Sequence, residues 1–153
     1  MNTKSKPNII VFFTDQQRWD TSSLHGNPLS LMENFDHYAV EGTHLYNSFT
    51  CQPVCGPARA SLQSGMYATK TGCFKNRIPL KKNIKTLAKY LSKEGYATGY
   101  IGKWHLGSSE PVKKEDRGGY DYWLGSNLLE FTSDAYEKIG RASCRERVYI
   151  SVV

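Results

Sequence analysis

Three short stretches of this sequence carry side chains whose types and spacing suit chemistry on an anion. In "TDQQRWD", Asp15 and Gln16 offer hard oxygen donors of the kind that hold Ca²⁺ or Mg²⁺ rather than a thiolate metal. In "CQPVCGPARASLQSG", Cys55 stands where a short helix opens. Unpaired N–H groups and the positive end of the dipole favour a negative ligand there, and Arg59 in the first turn adds a fixed cation. A tetrahedral oxyanion such as sulfate or phosphate suits that place. In "GYIGKWHLG", Lys103 and His105 lie two apart on an extended segment, so they project to one side while Trp104 points to the other. One of the pair can hold an anionic oxygen while the other moves a proton.

These side chains need elements that bring them to one edge. "NIIVFF", between Pro7 and Asp15, is a continuous β-branched and aromatic run that predicts a central strand buried on both faces. "LSLMENFDHYAVEG" places Leu31, Phe35, Tyr38 and Ala39 at helical spacing with Gly42 as the stop, and "THLYNSFT" alternates as an extended segment would. Pro57 is expected at the first position of the helix after Cys55, and Gly65 closes it. "NIKTLAKYLSKEG" carries Ile84, Leu87, Ala88 and Leu91 on one helical face with Gly95 as its stop, and a short strand follows through Ile101. Helix and strand alternate, which predicts an α/β fold with a mostly parallel central sheet flanked by helices. In such open sheets the ligand crevice lies beyond the carboxyl ends of the strands, where all three chemical stretches fall.

Bulk properties narrow the class. At 153 residues, 39% hydrophobic and 22% charged, the chain suits one globular domain. The formal charge of +6 is partly carried by Arg141, Arg145 and Arg147 near the C-terminus, and the lysines are scattered. No basic block alternates with stacking aromatics, which speaks against nucleic acid as a partner. Cys51, Cys55, Cys73 and Cys144 do not form a disulfide framework in a chain of this size. The apolar run Ile9 to Phe13 is too short for a signal-peptide core or a membrane span. As written, the product is expected in the cytoplasm without membrane contact, a periplasmic or secreted form being the alternative.

"CGPAR" (Cys55 to Arg59) matches the C-x-P-x-R signature of the sulfatase family, and "PVCGPARASLQSGMYATKTG" resembles that family's longer nucleophile segment. "PNIIVFFTDQQRWD" resembles its N-terminal metal strand and "GYATGYIGKWHLG" its lysine-histidine segment, so the resemblance spans residues 7 to 107 in the family's order. "GGYDYWLGSN" also looks familial. The resemblance implies an alkaline-phosphatase-like fold and hydrolysis of sulfate esters. It further implies that a maturation enzyme oxidises Cys55 to formylglycine, whose hydrate is the nucleophile, beside a bound Ca²⁺ with Mg²⁺ as the alternative. On the matching positions it makes Asp15, Gln16 and residue 55 metal ligands. It makes Arg59 the stabiliser of the nucleophile, Lys103 a contact to sulfate and to residue 55, and His105 the proton handler.

Two departures stand out. Gln16 replaces an aspartate common in the family, so one negative charge is missing and the cation should be held less tightly. The family's domain is also several times longer, which makes this chain a truncated sulfatase catalytic domain, expected to be inactive alone. Residues 1–137 are read as its N-terminal portion. Ile139 to Val148 resembles the translation of a sequencing-library adapter, so 138–153 is expected to be a non-native tail, with an edge strand "RVYISVV" as the alternative. The implied substrate is a sulfated small molecule or carbohydrate. A phosphonate monoester or phosphodiester hydrolase with the same nucleophile, or a non-catalytic anion-binding fragment, are the competing readings.

Other polar residues have plainer expectations. Cys51 and Cys73 are expected to pack as small hydrophobes, and a Cys51/Cys55 zinc pair lacks a second pair of ligands. His25, His37 and His44 read as loop or helix-surface residues. Gln17 and Arg18 either reach the substrate or form an ordinary surface ion pair.

Overall fold

The structure, a computed structural model, describes residues 6–128 and the strand 148–152. It divides into two units, one running to Asp15 and resuming at Cys51, the other comprising Gln16–Thr50.

Among the described residues, the first unit has four strands, three α-helices and a 3₁₀ turn (Lys114–Asp116). Strand β1 (Ile10–Thr14) forms where the apolar run predicts it and pairs antiparallel with β4 (Val148–Val152), Ile10 opposite Val152 and Thr14 opposite Val148. The expected burial of β1 on both faces is corrected: Ile10 is 66% and Phe12 56% exposed, while Val11 and Phe13 are half-buried. Alternate side chains of a strand point to opposite faces, and among the described residues nothing covers the face of Ile10 and Phe12. The expected tail boundary near residue 137 lies outside the described residues.

Strand β2 (Gly99–Lys103) pairs in parallel with β3 (Tyr122–Ser126), from Gly99 opposite Tyr122 to Lys103 opposite Ser126. The ladder continues past the strand ends, where the Trp104 N–H donates to the Ser126 carbonyl at 2.7 Å and the His105 N–H to that of Asn127 at 2.9 Å.

Helix α2 (Cys55–Ser64) starts two residues before Pro57, with Val54 as its N-cap, so proline is not the first helical residue. It is tolerated in the first turn because N–H groups there have no intrahelical acceptor. Gly65 ends the helix at φ +67°, the left-handed cap that glycine takes without a Cβ penalty. A four-residue helix α3 (Ala68–Thr71), not foreseen from periodicity, follows. Helix α4 (Leu87–Lys93) is shorter than the apolar pattern suggests. Thr86 is extended and its hydroxyl accepts from the Lys89 N–H, so the helix begins there and Ile84 packs from the preceding turn.

The core joins Ala60, Cys73, Ala88, Tyr100, Trp104, Leu106, Val112 and Tyr120. Trp104, 1% exposed, stands edge-on to Tyr100 at 5.0 Å, and the extended run expected through His105 ends at Lys103, because His105 sits at φ +58°. Gly118, at φ +65°, passes so close that a Cβ there would lie 2.7 Å from the Trp104 ring. Cys73 packs as expected, and burial pushes its thiol pKa up. Cys51 does not: it is exposed and shares a hydrogen bond of 2.9 Å with the Ser61 hydroxyl.

The second unit carries two 3₁₀ turns (Trp19–Thr21 and Ser23–His25) and helix α1 (Glu33–Glu41), which ends at Gly42 as expected. Asp36 ties helix to turn by accepting from the Ser22 hydroxyl and, at 2.9 Å, from the Ser23 N–H. Arg18 pairs with Asp20, the plainer of its two expectations. "THLYNSFT" is irregular rather than a strand, with His44 stacked on His25 and Tyr46 edge-on to His25 and Trp19 instead of pairing along a ladder. His37 is a helix-surface residue as expected, but His25 and His44 are half-buried and face one another.

Candidate active site

Three separate elements of the first unit deliver the site. Asp15 follows β1, Cys55 opens α2 with Arg59 in its second turn, and Lys103 ends β2. The Lys103 ammonium donates to Asp15 Oδ2 at 3.0 Å, and the Arg59 guanidinium stands 3.6 Å from the same oxygen. The Cys55 thiol faces the other carboxylate oxygen, Sγ to Oδ1 at 3.9 Å. Arg59 and Lys103 are both buried, so neither cation wanders. Arg59 also donates to the Lys103 carbonyl at 2.7 Å, joined there by the Tyr100 hydroxyl, and its guanidinium lies over the Phe13 ring at 5.3 Å.

Burial acts to raise the pKa of the Asp15 carboxyl. The hydrogen bond from Lys103 and the charges of Arg59, Lys103 and His105 outweigh it, leaving Asp15 below the usual carboxylate range. His105 is thus close enough for its charge to act on Asp15. It is buried and held at φ +58°, an uncommon conformation for a residue with a Cβ. Asn127 fixes that turn: its backbone carbonyl takes the His105 N–H, and its side chain bonds both polar backbone groups of Gly107, at 2.9 and 3.0 Å.

Of the residues singled out in the sequence, Asp15, Cys55, Arg59 and Lys103 come together and His105 lies within electrostatic reach. Gln16 opens the second unit, at φ +50°. Sequence reasoning missed Asn76, whose side-chain oxygen accepts the Gly56 N–H at 2.8 Å and so fixes the backbone next to Cys55. It also missed Asn127, Tyr100 and Phe13 as supports. An asparagine twenty or more residues from its target leaves no periodic signal; Tyr100 and Phe13 read only as strand residues.

The donor set fits a hard cation in kind and falls short in number. Asp15 supplies a carboxylate, while residue 55 presents sulfur, a poor match for Ca²⁺ or Mg²⁺ until it is replaced by oxygen. No cluster of three or more His, Cys, Asp or Glu suited to a metal occurs among the described residues. Nor is any helix among them long and apolar enough to cross a membrane.

Chemical groups gathered at the carboxyl ends of strands, with helices around a parallel strand pair, define an alkaline-phosphatase-like α/β domain. The Sulfatase family model matches residues 7–143, and the chain belongs to that family. It is 39% identical over 132 residues to the uncharacterized sulfatase YidJ of Escherichia coli, covering 81% of this chain and 26% of that protein. It is 39% identical over 138 residues to an ulvan-active sulfatase of Formosa agariphila, covering 88% and 26%. Among solved structures, the sulfatase-family protein yidJ of Bacteroides fragilis superposes with a TM-score of 0.69 at 27% identity, covering 89% of this chain and 34% of that one. A second, Ps i-CgsB bound to k-i-k-neocarrahexaose, gives 0.62 at 27% identity over 72% and 26%. The chain therefore spans about a quarter of the length of the curated relatives it matches. Formylglycine and a divalent metal are general features of the family.

Proposed function

We propose that this chain is the N-terminal portion of a sulfuric ester hydrolase in which residue 55, oxidised by a maturation enzyme, is the nucleophile. The observation that carries the reading is the convergence of Cys55, Arg59 and Lys103 on Asp15, from three separate elements. Family membership supports sulfate as the group transferred.

Hydrated formylglycine at position 55 would supply one hydroxyl oxygen that attacks the ester sulfur as the S–O bond to the alcohol breaks and the alcohol leaves with a proton, and a second hydroxyl whose deprotonation breaks the C–O bond between residue 55 and the sulfate, freeing sulfate and restoring the aldehyde. A Ca²⁺, or Mg²⁺, held by Asp15, Gln16 and an oxygen of residue 55 would withdraw charge from that nucleophile and from the sulfate oxygens. The chain's own groups do the rest. Arg59, fixed by the Lys103 carbonyl and the Phe13 ring, holds the side chain of residue 55 in line. Lys103 places its ammonium on a sulfate oxygen, a role for which its burial keeps it pre-oriented. His105, set by its constrained turn, takes the proton of the second hydroxyl.

Relatives described as an ulvan-active sulfatase and an N-acetylglucosamine-6-O-sulfatase, and the oligosaccharide held by Ps i-CgsB, support a sulfated carbohydrate as substrate. Because the described residues supply part of a ligand set, the 153-residue chain alone is proposed to be inactive. The test is turnover by the complete protein, made in a host with maturation activity, on aryl sulfate against an aryl phosphonate monoester and a phosphodiester. Preference for the sulfate supports the reading; preference for either phosphorus ester moves the enzyme to that chemistry with the same nucleophile.

A further inference from the structure

A second arrangement of metal-ligating side chains lies wholly in the Gln16–Thr50 unit. His25 Nδ1 is 2.5 Å from the Trp19 carbonyl. A carbonyl oxygen only accepts, so Nδ1 carries the proton and the neutral ring keeps its lone pair on Nε2. That Nε2 faces Nε2 of His44 at 3.0 Å. Metal-ligating histidines are oriented in this way, with the non-ligating N–H given to a backbone carbonyl. Two bonds of about 2.05 Å meeting at a tetrahedral angle separate their nitrogens by about 3.3 Å, a few tenths from the distance found.

The surroundings hold the pair in place. Trp19 stacks on His25 with centroids 4.0 Å apart and planes 6° from parallel, and its indole N–H donates to the Tyr46 carbonyl at 3.1 Å. Tyr46 stands edge-on to His25 at 5.1 Å, and Phe35 edge-on to His44 at 6.3 Å. Asp36, fixed by Ser22 and Ser23, lies within electrostatic reach of His25 and adds negative potential there.

We propose that His25 and His44 form a two-histidine site for a borderline divalent transition metal such as Zn²⁺, Ni²⁺ or Cu²⁺. Imidazole nitrogens select these ions over hard cations such as Ca²⁺ and Mg²⁺. Among the described residues no third His, Cys, Asp or Glu completes the set. The remaining coordination positions are open to water or to an exchangeable ligand.

The test is a Ni²⁺ titration of the tag-free 153-residue chain, followed by tryptophan fluorescence and by ¹⁵N imidazole resonances, with Zn²⁺ as displacing competitor. The expected result is saturation near one equivalent, quenching of Trp19, and line broadening at His25 and His44 but not at His37 or His105. His25→Gln and His44→Gln should each weaken binding about tenfold or more, while Cys51→Ser leaves it unchanged. Should either variant fail to fold, the pattern of broadening in the unsubstituted chain decides alone. Equal affinity in folded variants, or broadening elsewhere, reduces the pair to a histidine–histidine hydrogen bond and overturns the proposal.

Discussion

Asp15 faces two buried cations with a single carboxylate, and this sets the energetics of the site. Because its pKa is lower in the folded chain than the ordinary value of about 3.9, its stabilising effect is fully present above that value. The effect fades as pH falls through the lower, folded-state pKa. Asp15→Asn removes the carboxylate that Lys103 and Arg59 both face, which should cost about 3 kcal/mol at neutral pH. The variant's stability should also vary less with pH below 4 than that of the unsubstituted chain, and urea melts across that range check both effects. The convergence was partly legible from spacing: Arg59 lies one turn beyond Cys55, whereas the extended run expected through His105 stops at Lys103, His105 sitting at φ +58°. The supports were not. Asn76 reaches Gly56 across twenty residues of irregular chain, and nothing in its own neighbourhood announces that contact.

At the level of elements, local punctuation was readable and burial was not. Gly42 and Gly65 end their helices where the sequence says they should. Pro57 misleads by two residues because it is tolerated anywhere in the first turn. The alternation in "THLYNSFT" misleads because contacts between aromatic rings, stacked and edge-on, rather than a ladder, organise that segment. β1 formed as foreseen, but what covers a strand is decided by distant chain, so its exposed face could not be read from "NIIVFF". Two substitutions probe how these elements hold the site. Gly118→Ala puts a Cβ against Trp104 at a left-handed backbone position and should destabilise by about 1–3 kcal/mol. Asn76→Ala deprives the Gly56 N–H of its acceptor and should cost about 1 kcal/mol, since water can replace the amide at this exposed residue. Thermal melts of the two variants give the comparison, the glycine substitution being the more severe.

At the largest scale, exposed apolar surface accompanies a partial donor set among the described residues. Ile10, Phe12 and Leu124 are each more than half exposed, although strand positions of this composition normally face a partner layer. The curated relatives are about four times longer than the region shared with this chain. The 153-residue chain should bind a hydrophobic dye such as ANS in its folded state and show no turnover of an aryl sulfate. Clear turnover would contradict the proposal that further ligands are needed.

The most direct measurement joins chemistry to activity at one residue: aldehyde capture and intact mass of the residue-55 peptide, beside aryl sulfate turnover, in the complete protein and its Cys55→Ala variant. The account predicts an aldehyde at position 55, turnover in proportion to it, and a loss on the order of 10⁴- to 10⁶-fold with alanine. Undiminished turnover with alanine there, or with the thiol intact, would contradict it.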